Sequence, residues 1–130
     1  GYRDQAMIAI YYGCGLRLSE GRALKLSDID LNKRMILVRN SKNGRQRYVP
    51  ISSSVIGYIT DYLTLGRPYL VRKDNRSIDS FFISERGEAV QAQSLYIRLK
   101  LLQERTEDTN LMNKQIGMHT LRHSIATHLL

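Results

Sequence analysis

Two short runs of β-type sequence, Met35 to Arg39 and Arg47 to Ile51, flank Lys42-Asn43-Gly44-Arg45, and they restrict the fold more than anything else in the 130 residues. Asn and Gly both tolerate positive φ, so an Asn-Gly pair between two such runs predicts an antiparallel hairpin. Pro50 cannot donate to a ladder, which places the returning strand at an edge or a strand end. A third strand is expected at Ser80 to Ser84, turning at Arg86-Gly87. The remaining apolar pattern has helical spacing. The expected fold class is therefore α+β: a mostly helical single domain over residues 1–130 with a small antiparallel three-stranded sheet.

Asp4 to Tyr12 predicts an apolar helix closed by Gly13 and Gly15, and Leu18 to Leu26 a second one with Ser19 as its cap. Ser52 to Ser54 cap a further helix, in which Val55, Ile56, Ile59, Tyr62 and Leu63 form one stripe that ends by Gly66 and Pro68. Arg67 to Arg76 carries four basic residues and reads as a surface loop. A helix follows from Ser94 to Arg105 with Leu95, Leu99 and Leu102 on one side, then a polar stretch with a short turn of helix around Leu111 to Gln115. The last helix starts near Thr120 and buries Leu121, Ile125 and Leu129. Tyr11, Tyr58 and Tyr62 read as core or interface aromatics.

A formal net charge of +8 favours an acidic partner, with nucleic acid the first candidate. Fourteen of the twenty basic residues are arginines, whose guanidinium fork suits phosphate. No apolar run is long enough to span a bilayer, and no signal-peptide pattern or lipidation motif is visible, so no membrane association and a cytoplasmic location are expected. The single cysteine, Cys14, offers neither an internal disulfide nor a metal cluster and reads as a buried bystander. The chain has no initiator methionine and reads as a piece of something longer.

Two constellations carry chemistry. His119 and Arg122 are three positions apart on one helix face, where they could grip a phosphate and move a proton. Gly15-Leu16-Arg17-Leu18-Ser19-Glu20 brings a second arginine onto a glycine turn that enters an apolar helix. In isolation Arg17 would cap a carbonyl or pair with Glu20 at the start of its helix, Lys42 would face solvent on its hairpin, and His119 would cap its helix.

Taken together and in this order, these residues resemble the tyrosine recombinase (phage integrase) family. Tyr11 to Glu20, continuing through Leu24-Lys25-Leu26-Ser27-Asp28-Ile29-Asp30, is similar to that family's first box. Arg17 matches its first catalytic arginine, and Glu20 the acidic residue that supports the site. Lys42, ahead of Tyr48-Val49-Pro50-Ile51, matches the catalytic hairpin lysine. His119 and Arg122 match the His-x-x-Arg of the second box, with His123 as a supporting residue. The similarity runs from the first helix to the last residue.

The resemblance implies site-specific DNA recombination or integration through a 3′-phosphotyrosine intermediate. The bond energy stays in that intermediate, so no cofactor is implied, and two guanidinium groups stand where a metal would otherwise supply charge. It implies double-stranded DNA as partner and a tetramer of the full-length protein on two DNA sites. The family's nucleophilic tyrosine lies after the second box, whereas all eight tyrosines here precede His119. The nucleophile is thus expected to be absent from this chain, as is the amino-terminal DNA-clamping domain, leaving a monomeric fragment that cannot cleave DNA alone. The competing functions are a noncatalytic DNA-binding module and a type IB topoisomerase-like enzyme.

Overall fold

The computed structural model describes residues 1–39 and 44–109. Helix α1 (Tyr2–Ile8) passes without a break into a wider π-type turn over Ala9–Gly13. Every residue from Ala6 to Tyr12 is buried, so this helix forms the centre of the core rather than an amphipathic cover. Helix α2 (Leu18–Arg22) and a 3-10 turn at Leu26–Asp28 lead into the sheet.

The sheet consists of β1 (Ile29–Asp30), β2 (Met35–Arg39) and β3 (Gln46–Pro50), all antiparallel in that order. Ile36 pairs with Val49 and Val38 with Arg47, so these four share the core face, and Ile36 and Val38 are fully buried. Met35, Leu37 and Tyr48 take the opposite face. Pro50 ends β3 on a sheet edge, as its missing donor requires. The described ladder runs as far as Arg39 opposite Gln46. Gly44 does adopt positive φ, at 65°. Lys42 and Asn43 lie outside the described residues, as do the turn expected at Leu111 to Gln115 and the helix expected from Thr120.

Helix α3 (Ser53–Asp61) begins where the Ser52 hydroxyl accepts the Val55 N–H at 3.3 Å. Its stripe buries Val55 and Ile59, and Tyr62 continues it. Gly66 and Pro68 do not stop the helix. A π-type turn over Tyr62–Gly66 passes directly into α4 (Arg67–Leu70), where Pro68 sits in the first turn and its missing N–H costs nothing. Helix α5 (Ala92–Thr109) buries Leu95, Leu99 and Leu102, the side anticipated from their spacing.

The three-stranded sheet is present, but its third strand is β1 and not Ser80 to Ser84. That segment makes only isolated bridges, Lys25 to Ser80 and Ile83 to Ala89. Side chains satisfy much of its backbone instead. Arg67 donates to Ser80 O at 2.7 Å and Ile78 O at 2.9 Å. Tyr62 Oη donates to Phe81 O at 2.9 Å and accepts the Ile83 N–H at 3.0 Å. Arg67 is accordingly a buried structural cation rather than part of a surface loop. Phe81 and Phe82 pack edge-to-face at 4.8 Å and join Tyr62 and Tyr11 in one aromatic cluster.

Candidate active site

Gly15, at φ 67°, turns the chain out of the first helix and delivers Arg17 to the N-cap of α2. Leu16 and Leu18 on either side are buried at 0% and 3% exposure, which sends the intervening Arg17 outward in its extended backbone conformation. The Arg17 side chain is exposed, and among the described residues no carboxylate pairs with its guanidinium. Ser19 does not cap α2. The capping contact is the reach of Glu20 back to the Arg17 N–H, with Oε1 accepting at 2.9 Å.

Glu20 also does not take the Arg17 guanidinium, one of the two roles open to an isolated Arg17. Its carboxylate, only 3% exposed, receives a bidentate pair from Arg47 on β3: Nη1 to Oε2 at 2.6 Å and Nη2 to Oε1 at 3.0 Å. Burial alone would raise the Glu20 carboxyl, but the Arg47 hydrogen bonds and the Arg17 N–H outweigh it and hold the group below its ordinary value of 4.5. The folded state therefore binds fewer protons than the unfolded chain in this range. The stabilisation is complete above about pH 4.5 and is lost as the pH falls through the lower folded-state value. Thermal melts of the 130-residue chain should show this extra acid sensitivity in the wild type and not in Glu20→Gln. Parallel acid limbs in the two proteins would contradict the assignment.

The same device recurs eight residues later. Asp28, 4% exposed, reaches back three positions so that Oδ2 accepts the Lys25 N–H at 3.0 Å. Its Oδ1 lies 2.9 Å from Nη2 of Arg39, an ion pair without good hydrogen-bond alignment. The two strands that lead to and from Lys42 are thus each tied by an arginine to a buried carboxylate. Val38 shares a face with Arg47, so Arg39 points to the opposite face and the ties grip the hairpin base from both sides.

Arg17 and Glu20 are the sequence-assigned site residues within the described structure; Lys42, His119, Arg122 and His123 lie outside it. Sequence reasoning does not single out Arg47, although a signal exists: it alternates with Val49 and Ile51 on the core face of its strand, where an arginine calls for a buried acid. Two tyrosines can be set aside as nucleophiles. Burial raises the Tyr11 hydroxyl well above its ordinary value, and it donates to Leu18 O at 3.0 Å. Tyr62 is also raised by burial, with its hydroxyl occupied on both sides. Cys14 is half-buried rather than buried, and desolvation pushes its thiol up to about 11. A cleft of about 440 Å³ near Arg3, Glu85 and Arg98 contains none of the assigned residues, and Arg98 there is already paired with Asp4. Among the described residues, no group of three or more His, Cys, Asp or Glu could hold a metal ion, and no helix is long and apolar enough to cross a membrane.

The profile of the phage integrase family matches residues 1–130. The tyrosine recombinase XerD of Ralstonia nicotianae is 35% identical over 130 residues, covering 100% of this chain and 40% of that protein. XerD of Mycobacterium tuberculosis is 37% identical over 128 residues, covering 98% and 39%. The tyrosine recombinase XerC of Oceanobacillus iheyensis is 36% identical over 130 residues, covering 100% and 41%. This chain therefore spans about 40% of the length of the curated relatives it matches. Among solved structures, the crystal structure of XerA recombinase superposes with a TM-score of 0.70 at 25% identity, over 97% of this chain and 43% of that one. The XerH site-specific recombinase bound to palindromic difH substrate, a post-cleavage complex, shares the fold at a TM-score of 0.65 and 24% identity, over 98% of this chain and 35% of that one. The chain belongs to the phage integrase family.

Proposed function

We propose that this chain supplies the Arg17, Lys42, His119 and Arg122 part of a site that cuts and rejoins double-stranded DNA through a covalent 3′-phosphotyrosine. The family match over all 130 residues carries this reading. The outward-facing Arg17 on its glycine corner, with no carboxylate partner among the described residues, is the local geometry consistent with it. The tyrosine oxygen attacks phosphorus, a P–O bond to the tyrosine forms, and the bond from phosphorus to the 5′-oxygen breaks. Arg17 and Arg122 hold the non-bridging oxygens as negative charge builds on them. Lys42 gives its proton to the departing 5′-oxygen, and His119 assists proton transfer near the nucleophile. A 5′-hydroxyl from a partner strand then reverses the step, within four such proteins on two duplexes. Glu20 and His123 support the site without touching the reacting atoms.

Incubating the gene's full product with end-labelled duplex DNA tests the proposal. The expected result is a denaturation-resistant adduct that keeps the label on the 3′-phosphate side and releases a free 5′-hydroxyl. Complexes that all dissociate in detergent would reduce the protein to a DNA-binding module. Relaxation of supercoils without exchange between two sites would make it topoisomerase-like.

A further inference from the structure

Lys42 lies three residues after Arg39 and five before Arg47, so the strands that carry these two arginines fix where the connection bearing it leaves and returns. A general acid acts only within hydrogen-bond reach of the oxygen it protonates, and a misplacement of about 1 Å costs on the order of 10²-fold in rate. The base has two ties, and they are not equivalent. Asp28 holds Arg39 and the Lys25 N–H, neither of which belongs to the site. Glu20 holds Arg47 through both carboxylate oxygens, and its Oε1 also accepts the Arg17 N–H. A single buried carboxylate is thus bonded both to the corner that presents Arg17 and to the strand that returns from Lys42.

We propose that Arg47 is a positioning residue: by docking β3 on Glu20, it registers the Lys42 hairpin against the Arg17 corner, so that the phosphate grip and the leaving-group acid are set by one anchor. Arg47 itself touches no reacting atom. This inference rests on the reading of Lys42 as the general acid. Its consequence is that loss of Arg47 impairs protonation of the 5′-oxygen rather than charge stabilisation at the phosphate.

A change of leaving group tests this. With sulfur in place of the bridging 5′-oxygen, the departing thiolate needs no proton, so a defect in general-acid placement disappears while a defect in phosphate grip or folding persists. Single-turnover cleavage would be measured with the gene's full product on nicked duplexes built on the sequence it protects in footprinting, as oxygen and sulfur forms. Arg47→Ala is expected to slow the oxygen substrate about tenfold to a hundredfold and the sulfur substrate little. Arg47→Lys, which keeps one charged bond to Glu20, should fall between Arg47→Ala and wild type. The oxygen-to-sulfur ratio within one preparation cancels any loss of folded protein. Equal slowing on both substrates, or no slowing on oxygen, overturns the positioning role. Lys42→Ala run alongside separates the two layers: if its own defect is not relieved by sulfur, the general-acid reading fails, and the inference with it.

Discussion

Arg17→Ala is expected to slow DNA strand cleavage about 10²- to 10³-fold, the range seen when one preorganised donor is removed from a charged transition state. The fold should hardly register the change. The Arg17 side chain is exposed and has no carboxylate partner among the described residues, whereas the contact that starts α2 uses the Arg17 backbone N–H, which alanine keeps. A stability change within about 0.5 kcal/mol is therefore expected from thermal melts, as for a surface substitution away from any structural feature. Arg17→Lys should recover only part of the rate, because an ammonium cannot reproduce the bidentate fork. Large activity loss with a native melt separates a phosphate-binding arginine from a structural one. A melt that falls in step with activity would assign Arg17 to the fold.

Gly21→Ala is expected to be the most destabilising of the small substitutions near the site. A Cβ at Gly21 would enter the space of the Tyr11 ring and hydroxyl, and the Tyr11 side chain has no way out. It is 1% exposed, stacked on Phe82 and hydrogen-bonded to Leu18 O at 3.0 Å. Either Tyr11 or α2 must shift, at a cost of about 3 kcal/mol, the upper part of the range for overpacking a filled core. For a domain of this size that lowers Tm by about 10 °C. Because α2 carries Glu20 and starts at Arg17, activity should fall as well. Gly57→Ala provides the opposite sign: nothing lies within 4 Å of its Cβ position on α3, so stability should rise by about 0.5–1 kcal/mol. Differential scanning calorimetry of both variants checks the contrast, and a Gly21→Ala melt matching wild type would show that the backbone contact is not tight.

Elements whose packing follows from local periodicity are legible in the amino-acid sequence itself. Val55, Ile59 and Tyr62 line one helix face, Leu95, Leu99 and Leu102 another, and both stripes are buried. The hairpin strands are likewise visible from their β-rich flanks and the Asn-Gly pair. What local pattern does not reveal is decided by long-range polar contacts. Ser80 to Ser84 is apolar enough for a strand, yet Tyr62 and Arg67 supply hydrogen bonds that a neighbouring strand would otherwise make. Arg67 resembles one more surface cation in the sequence because its carbonyl partners are 11 and 13 residues away. At the candidate site, the resemblance to the first box singles out Arg17 and Glu20 but not the partner of Glu20. Spacing favours the neighbour three residues away, while the fold brings Arg47 from 27 residues downstream into a bidentate fit.

If Arg17 stabilises negative charge on a DNA phosphate, as proposed, a charge-neutral substrate reveals it. Cleavage by wild type and Arg17→Ala would be compared on a natural phosphodiester and on a methylphosphonate, in which one non-bridging oxygen is replaced by methyl. The Arg17→Ala defect is expected to be large on the phosphodiester and mostly absent for one methylphosphonate diastereomer, because the charge that the guanidinium offsets has been removed. The same defect on all substrates would contradict it.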